Sequence, residues 1–354
     1  MMIWIDKLRR DHALAPDEYR QLLATTDTDA VEYLHRQARE VALRQFGHDI
    51  YIRGLIEVGN RCRNNCYYCG IRAANMSVAR YELTKEQILT SCREGYKLGF
   101  RTFVLQGGEK SGSYAMWEDV VSEIRLAYPD CAITLSLGEM TRSEYEGLFR
   151  AGANRYLLRH ETYNADHYRR LHPESMSREH RLQCLQWLKE TGYQTGTGIM
   201  VGSPGQTLDH LVEDICFIRR FQPQMIGIGP FIPQHDTPFR DCRPGSADLT
   251  LRLLSIFRLM FPSVLIPATT ALSTLLPDGK ARGILAGANV VMPNLSPAAY
   301  RSSYALYDNK AAMGTEAAEG LALLKQELDK IGYRISTARG EKGVKIMLRD
   351  ASEC

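Results

Sequence analysis

Arg61-Cys62-Arg63-Asn64-Asn65-Cys66-Tyr67-Tyr68-Cys69-Gly70 places three cysteines in the pattern C-x3-C-x2-C, with an aromatic residue just before the third. Three thiolates at this spacing on one loop can hold three irons of a four-iron cluster and leave the fourth iron open for chemistry. Zinc normally wants four ligands in pairs, and no second Cys or Cys/His pair follows at such a spacing. Single cysteines are often only small buried apolar residues, but a trio this close beside an aromatic points to ligation. Cys92, Cys131, Cys184, Cys216, Cys242 and Cys354 are scattered singly. Nothing marks the chain as secreted, which argues against a disulfide framework.

The loop lies between a candidate strand and a candidate helix, and that alternation repeats. Short aliphatic or β-branched runs suited to burial on both faces occur at Arg53–Val58, Thr102–Gln106, Ala132–Leu137, Tyr156–Arg159, Thr197–Val201, Met225–Ile228, Val264–Ala268 and Val290–Met292. Helical patterns separate them: one opening at Thr84-Lys85-Glu86-Gln87 as a near capping box, then Trp117–Tyr128, Arg142–Arg150, Arg178–Lys189, Leu208–Arg220, Leu249–Met260 and Gly279–Leu285. Gly99, Gly152, Gly192 and Gly287 follow helical stretches, where a C′ position favours glycine. Ala151-Gly152-Ala153-Asn154 and Ala286-Gly287-Ala288-Asn289 read as one recurring structural unit.

Alternating β and α elements predict a parallel sheet covered by helices. Eight strands permit a closed (β/α)8 TIM-type barrel; a six-strand open barrel with extra elements is the competitor. Residues 1–47 read as an N-terminal helical extension, with one helix starting at Pro16-Asp17-Glu18 and a longer one capped by Asp29 and stopped at Gly47. The barrel is expected over 48–310. Residues 311–354 hold a helix, Thr315–Ile331, and a Lys/Arg/Gly-rich tail expected to fray.

The chain has 354 residues, 44% of them apolar, which suffices for a full core. Its 44 basic and 41 acidic residues give a net charge of +3 and no nucleic-acid signature. The N-terminus lacks the apolar core of a signal peptide, and no apolar run approaches the ~20 residues that span a bilayer. A cytoplasmic protein is expected.

A barrel carries its chemistry at the C-terminal ends of its strands. The second strand ends in Gln106-Gly107-Gly108-Glu109, the third carries Thr134 and Ser136 and ends in Gly138-Glu139, and the fourth ends in Arg159-His160-Glu161-Thr162. The fifth ends in Gly202-Ser203-Pro204-Gly205, the sixth leads to Pro230-Phe231-Ile232-Pro233, and the seventh ends in Thr269-Thr270. Gly107-Gly108 could be an ordinary turn, or could let backbone approach a ligand, with carbonyls accepting from an ammonium group. Arg159 and Glu161 alternate toward the barrel mouth, where buried charges need partners; His160 points the other way, as a structural hydrogen-bonder or a catalyst. Gly202–Gly205 lacks the Lys-Ser/Thr ending of a phosphate loop.

The cysteine spacing with Tyr68 resembles the radical S-adenosylmethionine (radical SAM) enzymes. With the strand ends in view, the chain resembles within them the [FeFe]-hydrogenase maturase family HydE, in the group that also holds biotin synthase and methylornithine synthase. The resemblance runs from about Ile52 to Tyr307. It rests most specifically on Tyr156-Leu157-Leu158-Arg159-His160-Glu161-Thr162 and Gly227-Ile228-Gly229-Pro230-Phe231-Ile232-Pro233, with support from Ile52–Glu57, Met200–Thr207 and Ile266–Ala271.

The resemblance implies one 4Fe–4S cluster held by Cys62, Cys66 and Cys69, with SAM chelating the fourth iron. It implies Tyr68 beside the adenine, and Ser136, Glu161 and Arg181 around SAM; from their strand-end positions Gly107, Gly108, Glu109 and Thr134 are expected to bind the cofactor with them. Arg181 would pair with the SAM carboxylate and Glu161 would accept from a ribose hydroxyl or the ammonium. Arg159, Thr269 and Thr270 would line the catalytic cavity, with Arg159 as an anion anchor. Some family members bind a second cluster through cysteines near the C-terminal end; Lys310–Gly320 holds none here, so no second cluster is expected.

The implied activity is reductive cleavage of SAM, giving a 5′-deoxyadenosyl radical that attacks sulfur in an iron–carbonyl–cyanide–cysteine precursor during H-cluster maturation. The implied partners are that organometallic substrate, a one-electron donor of ferredoxin or flavodoxin type and the other hydrogenase maturation proteins, with no nucleic acid and no membrane; a monomer is expected. Two rival readings stand: a carbon-centred radical SAM reaction such as a methylornithine-type lysine rearrangement, and a non-catalytic iron–sulfur carrier or scaffold.

Overall fold

The structure, a computed structural model, describes residues 1–109, 112–310 and 317–341. Its strands are β1 (Asp49–Ile52), β2 (Gly54–Gly59), β3 (Thr102–Gly107), β4 (Ala132–Ser136), β5 (Arg155–Leu157), β6 (Gln194–Thr197), β7 (Met200–Val201), β8 (Met225–Ile226), β9 (Gly229–Pro230), β10 (Val290–Val291) and β11 (Arg334–Ser336). Strands β2, β3, β4, β5, β6 and β8 form one parallel sheet in that order. Bridges between Met225 and Leu265, Pro267 and Val290, and Leu55 and Asn294 carry the pairing onward from β8 through residues 264–268 and β10 back to β2. The bonds from Ile226 N to Leu265 O (3.0 Å), Ala268 N to Val290 O (2.9 Å) and Leu55 N to Pro293 O (2.9 Å) close the ring. Eight segments therefore surround one interior, and the expected (β/α)8 barrel is the architecture found, not the six-strand open form.

Several strand expectations need correction; the fourth strand, expected over Tyr156–Arg159, runs Arg155–Leu157. Residues 264–268 contribute bridges rather than a continuous strand. The first strand starts at Gly54, and β1 precedes it, paired with β10 and β11. Arg53 divides the two and reaches within 3.2 Å of the Met225 sulfur. The fifth and sixth strands each break, into β6 and β7 and into β8 and β9. The break falls where two backbones press together: a Cβ on Gly198 would meet Gly227 O at 1.8 Å. Strands β7 and β9 then pair with each other.

The helices follow their sequence signals. Thr84 Oγ1 accepts from Gln87 N, and the Gln87 side chain accepts from Thr84 N at 2.9 Å, closing the capping box of Lys85–Lys97. The Ala-Gly-Ala-Asn joints perform one task twice. Gly152 and Gly287 take φ of 120° and 108°. Asn154 Oδ1 accepts from Ile133 N and Asn289 Oδ1 from Ile266 N, both at 2.9 Å, so each Asn clips the entry of its strand to the preceding segment. The long N-terminal helix, Thr28–Phe46, is capped by Asp27 rather than Asp29; Asp27 accepts from the amides of Asp29 and Ala30. The first three helices share an apolar cluster with helices Leu208–Phe221 and Ala247–Met260, through Ile5, Leu8, Tyr19 and Leu34 against Ile215, Leu251 and Leu254. Helix Ala317–Lys330 packs Leu324 and Leu328 onto the second large cluster. The expected helix start at Thr315, the region without second-cluster cysteines (311–316) and the tail from 342 lie outside the described residues.

Candidate active site

The cysteine loop leaves β2 and is tied down by its own neighbourhood. Arg80 donates to the carbonyls of Asn60 (2.6 Å), Ile71 (2.8 Å), Arg72 (2.6 Å) and Asn75 (2.8 Å). Asn75 Nδ2 donates to Gly70 O at 2.7 Å, and Gly70 N donates to Leu306 O at 2.9 Å. Cys62, Cys66 and Cys69 are free thiols. Burial raises all three, Cys69 to about 12; the charge of Cys62 also raises Cys66 and Cys69, and that of Cys69 raises Cys66. Three half-buried free thiols on one loop are a donor set that a metal cluster would hold as thiolates. No sequence signal pointed to Arg80, whose partners are all loop carbonyls.

Gly108 permits a close approach, but the approaching group is the loop itself. A Cβ there would meet Arg61 O at 2.4 Å and Cys62 Cβ at 2.9 Å. Gly107 ends β3 against Gly59 of β2. Glu109 is buried, accepts from Arg63 Nε at 2.7 Å and lies 3.8 Å from the Arg181 guanidinium. Its expected place beside a ligand is thus shared with two arginines.

Tyr68 links the loop to the strand ends. Its hydroxyl is raised first by burial, then by the charges of Glu161, Cys66 and Cys69, and lowered by Arg181. His172 Nδ1 lies 3.0 Å from the Tyr168 carbonyl, which fixes the ring hydrogen there and leaves Nε2, 3.2 Å from the Tyr68 hydroxyl, to accept. Burial pushes His172 down to about 3, so the ring stays neutral.

Beyond Tyr68 lie buried polar atoms that make no hydrogen bond. Thr134 Oγ1, Arg159 Nε and one of its terminal nitrogens, Glu161 Oε2, Tyr168 Oη, Arg181 Nε and Thr269 Oγ1 are buried and make no hydrogen bond. Arg159 and Glu161 approach to 2.9 Å as an ion pair, misaligned for a hydrogen bond. Glu161 has φ of 65°, the left-handed region, a strain that non-glycine residues hold chiefly at functional sites. His160 turns outward and is structural: its nitrogens lie 2.8 Å from Thr197 Oγ1 and 3.2 Å from the buried Asp214. Ser136 is half-buried at the end of β4, level with Gln106 of β3 and Glu57 of β2. Arg181 sits on helix Arg178–Thr191 with Glu139 Oε1 2.7 Å from its Nε. Thr269 and Thr270 begin helix Thr270–Leu275, three segments round the ring from β5. Thr270 lines a cavity with Asn294 and Lys310. There Glu57, fully buried, pairs with Lys310 and accepts from Asn294 Nδ2 at 2.9 Å. This charge pair was not legible in advance, because Lys310 lies over 250 residues from its partner.

A family model for the radical SAM superfamily matches residues 56–218. The [FeFe] hydrogenase maturase subunit HydE of Thermotoga maritima is 44% identical over 308 residues, covering 86% of this chain and 87% of that protein. The chain belongs to the HydE family of radical SAM enzymes. The 3-methylornithine synthase of Methanosarcina barkeri is 29% identical over 86% of each chain. A crystal structure of methylornithine synthase superposes with a TM-score of 0.82 at 27% identity, covering 94% of this chain and 97% of that one. A structure of the maturase HydG shares the fold, with a TM-score of 0.78 at 20% identity and coverage of 94% and 75%.

Membership in the HydE family implies a 4Fe–4S cluster and SAM as cofactors. The residues present fit both groups: three half-buried free thiols on one loop, and buried donors and acceptors that make no hydrogen bond. Among the described residues no helix is long and apolar enough to cross a membrane.

Proposed function

We propose that this radical SAM enzyme of the HydE family acts in maturation of the [FeFe]-hydrogenase H-cluster, on a sulfur-containing iron–carbonyl–cyanide–cysteine precursor. The reading is carried by the 44% identity to the Thermotoga maritima maturase over nearly the whole of both chains. In this reading Cys62, Cys66 and Cys69 would hold the single cluster, leaving an iron without a protein ligand available to SAM. The bound pair supplies a one-electron cleavage of SAM and hence a 5′-deoxyadenosyl radical.

The chain's own residues bind, orient and exclude water. Arg181 is the planar donor for the SAM carboxylate; its buried guanidinium already faces carboxylates at Glu139 and Glu109. Glu161 presents an acceptor to a ribose hydroxyl or the ammonium, and Tyr68 packs by the adenine with its hydroxyl held by His172. Thr134 and Ser136, two apart on β4, complete the SAM site in this reading. Arg159, Thr269 and Thr270 receive the substrate, Arg159 as the anion anchor. A closed barrel keeps water from the reacting atoms. The electron donor is of ferredoxin or flavodoxin type, the other maturation proteins supply and receive the organometallic groups, and the protein works as a cytoplasmic monomer.

The resemblance to methylornithine synthase favours a second reading, hydrogen abstraction from lysine. One anaerobic experiment separates them: the cluster-loaded protein, dithionite and SAM are incubated either with the synthetic iron–carbonyl–cyanide–cysteine complex or with perdeuterated lysine. Precursor-dependent stimulation of SAM cleavage supports the maturase reading. Deuterium in 5′-deoxyadenosine, without that stimulation, overturns it.

A further inference from the structure

Beside the SAM site, and unused by it, three ligand atoms of different kinds converge. His180 Nε2 lies 3.6 Å from Cys184 Sγ and 3.6 Å from Glu139 Oε2. All three atoms fall within 4.8 Å of one another. His180 and Cys184 are one turn apart on helix Arg178–Thr191, so their side chains share a face; Glu139 follows the end of β4. Zinc binds imidazole nitrogen and carboxylate oxygen near 2.0–2.2 Å and thiolate near 2.3 Å, which in a tetrahedron sets the ligands about 3.3–3.6 Å apart. The two observed separations match such edges.

We propose that Glu139, His180 and Cys184 bind one divalent transition ion of the zinc class. The two carboxylate oxygens of Glu139 face different groups: Oε1 lies 2.7 Å from Arg181 Nε, and Oε2 turns to His180. The nearby Arg181 cation is offset by Glu109, 3.8 Å away. Cys184 is buried and its thiol is held up to about 11, so coordination releases its proton to solvent. His180 is half-exposed, which gives the ion a path and the fourth position a water. The Met140 carbonyl, 3.7 Å from the same sulfur, flanks the position. The site stands whether or not the loop cysteines hold a cluster. Its consequence for SAM rests on the reading above: an ion at Oε2 draws Glu139 charge away from Arg181 and frees that guanidinium for the SAM carboxylate.

The test is anaerobic titration calorimetry of zinc chloride into the full, cluster-loaded chain, with iron content checked before and after. The expected result is one zinc per chain, bound at least 10-fold more weakly by His180→Ala, a half-exposed position whose loss leaves the thermal melt unchanged. Cobalt(II) in place of zinc should show a sulfur neighbour near 2.3 Å by X-ray absorption, absent in Cys184→Ser. Zinc binding equal in parent and His180→Ala, or none in either, overturns the site. Zinc should also tighten SAM binding in the parent and not in His180→Ala; equal SAM affinity with and without zinc overturns the coupling. SAM cleavage, measured separately, reports on the radical SAM reading alone.

Discussion

Glu161 and Arg181 are held in conformations or pairings that the fold alone does not require. Arg181→Ala should remove a charge-assisted contact worth roughly 1.5–3 kcal/mol, about 10- to 100-fold in SAM affinity. Equilibrium binding to the cluster-loaded protein measures it, and unchanged affinity would mean that Arg181 serves only Glu139. Glu161→Gly separates strain from function. Glycine takes φ of 65° without penalty, so relief of strain should offset the lost ion pair and stability should stay within about 1 kcal/mol. SAM affinity should fall at least 10-fold. A large drop in the melt would instead mark the carboxylate as structural. The sequence expected Arg159 and Glu161 to alternate with His160 as in a strand; β5 ends at Leu157, yet His160 does turn away to Asp214 while Arg159 and Glu161 pair. The left-handed turn at Glu161 carried no such signal, since sequence gives no warning of a strained non-glycine residue.

At the scale of elements, the cysteine loop is a long irregular segment held by side-chain hydrogen bonds to its backbone. Arg80 satisfies four carbonyls that no helix or sheet would otherwise bond. Arg80→Ala should leave the barrel folded but loosen the loop, lowering iron retention to below half of the parent after anaerobic desalting. Equal iron content would show that the loop is set by the cysteines alone. The Ala-Gly-Ala-Asn joints were legible as a recurring structural unit, but their purpose was not: the Asn side chains reach across to Ile133 and Ile266, contacts that only the folded register creates. The same limit explains residues 264–268. Their aliphatic run reads as a strand, yet their neighbours meet them only at single bridges as the ring curves shut. Strand β11 joins β1 from near the end of the chain, a pairing that local pattern cannot reveal.

Across the whole molecule, buried neutral histidines set an acid limit. Burial pushes His35 and His167 down to about 4 and His172 to about 3. In the unfolded chain these rings take up protons near pH 6.5. Between about 6.5 and 4 the unfolded state therefore binds more protons, and stability falls as pH falls. The urea midpoint should be lower at pH 5.5 than at 7.5; an equal or higher midpoint at 5.5 would contradict this. The alternation of strand and helix made the barrel legible, because each βα unit buries its strand on both faces. The ring's closure through β10 and the Glu57–Lys310 pair emerged only with the three-dimensional arrangement.

The central claim is that three cysteines and an open iron give this chain radical SAM chemistry. Anaerobic reconstitution with iron and sulfide, followed by dithionite and SAM, tests it by electron paramagnetic resonance together with assay of 5′-deoxyadenosine. The account predicts a reduced-cluster signal that shifts when SAM is added, with 5′-deoxyadenosine formed by the parent and not by Cys66→Ala. A cluster signal indifferent to SAM, with no cleavage in the parent, would contradict it and leave the chain an iron–sulfur carrier.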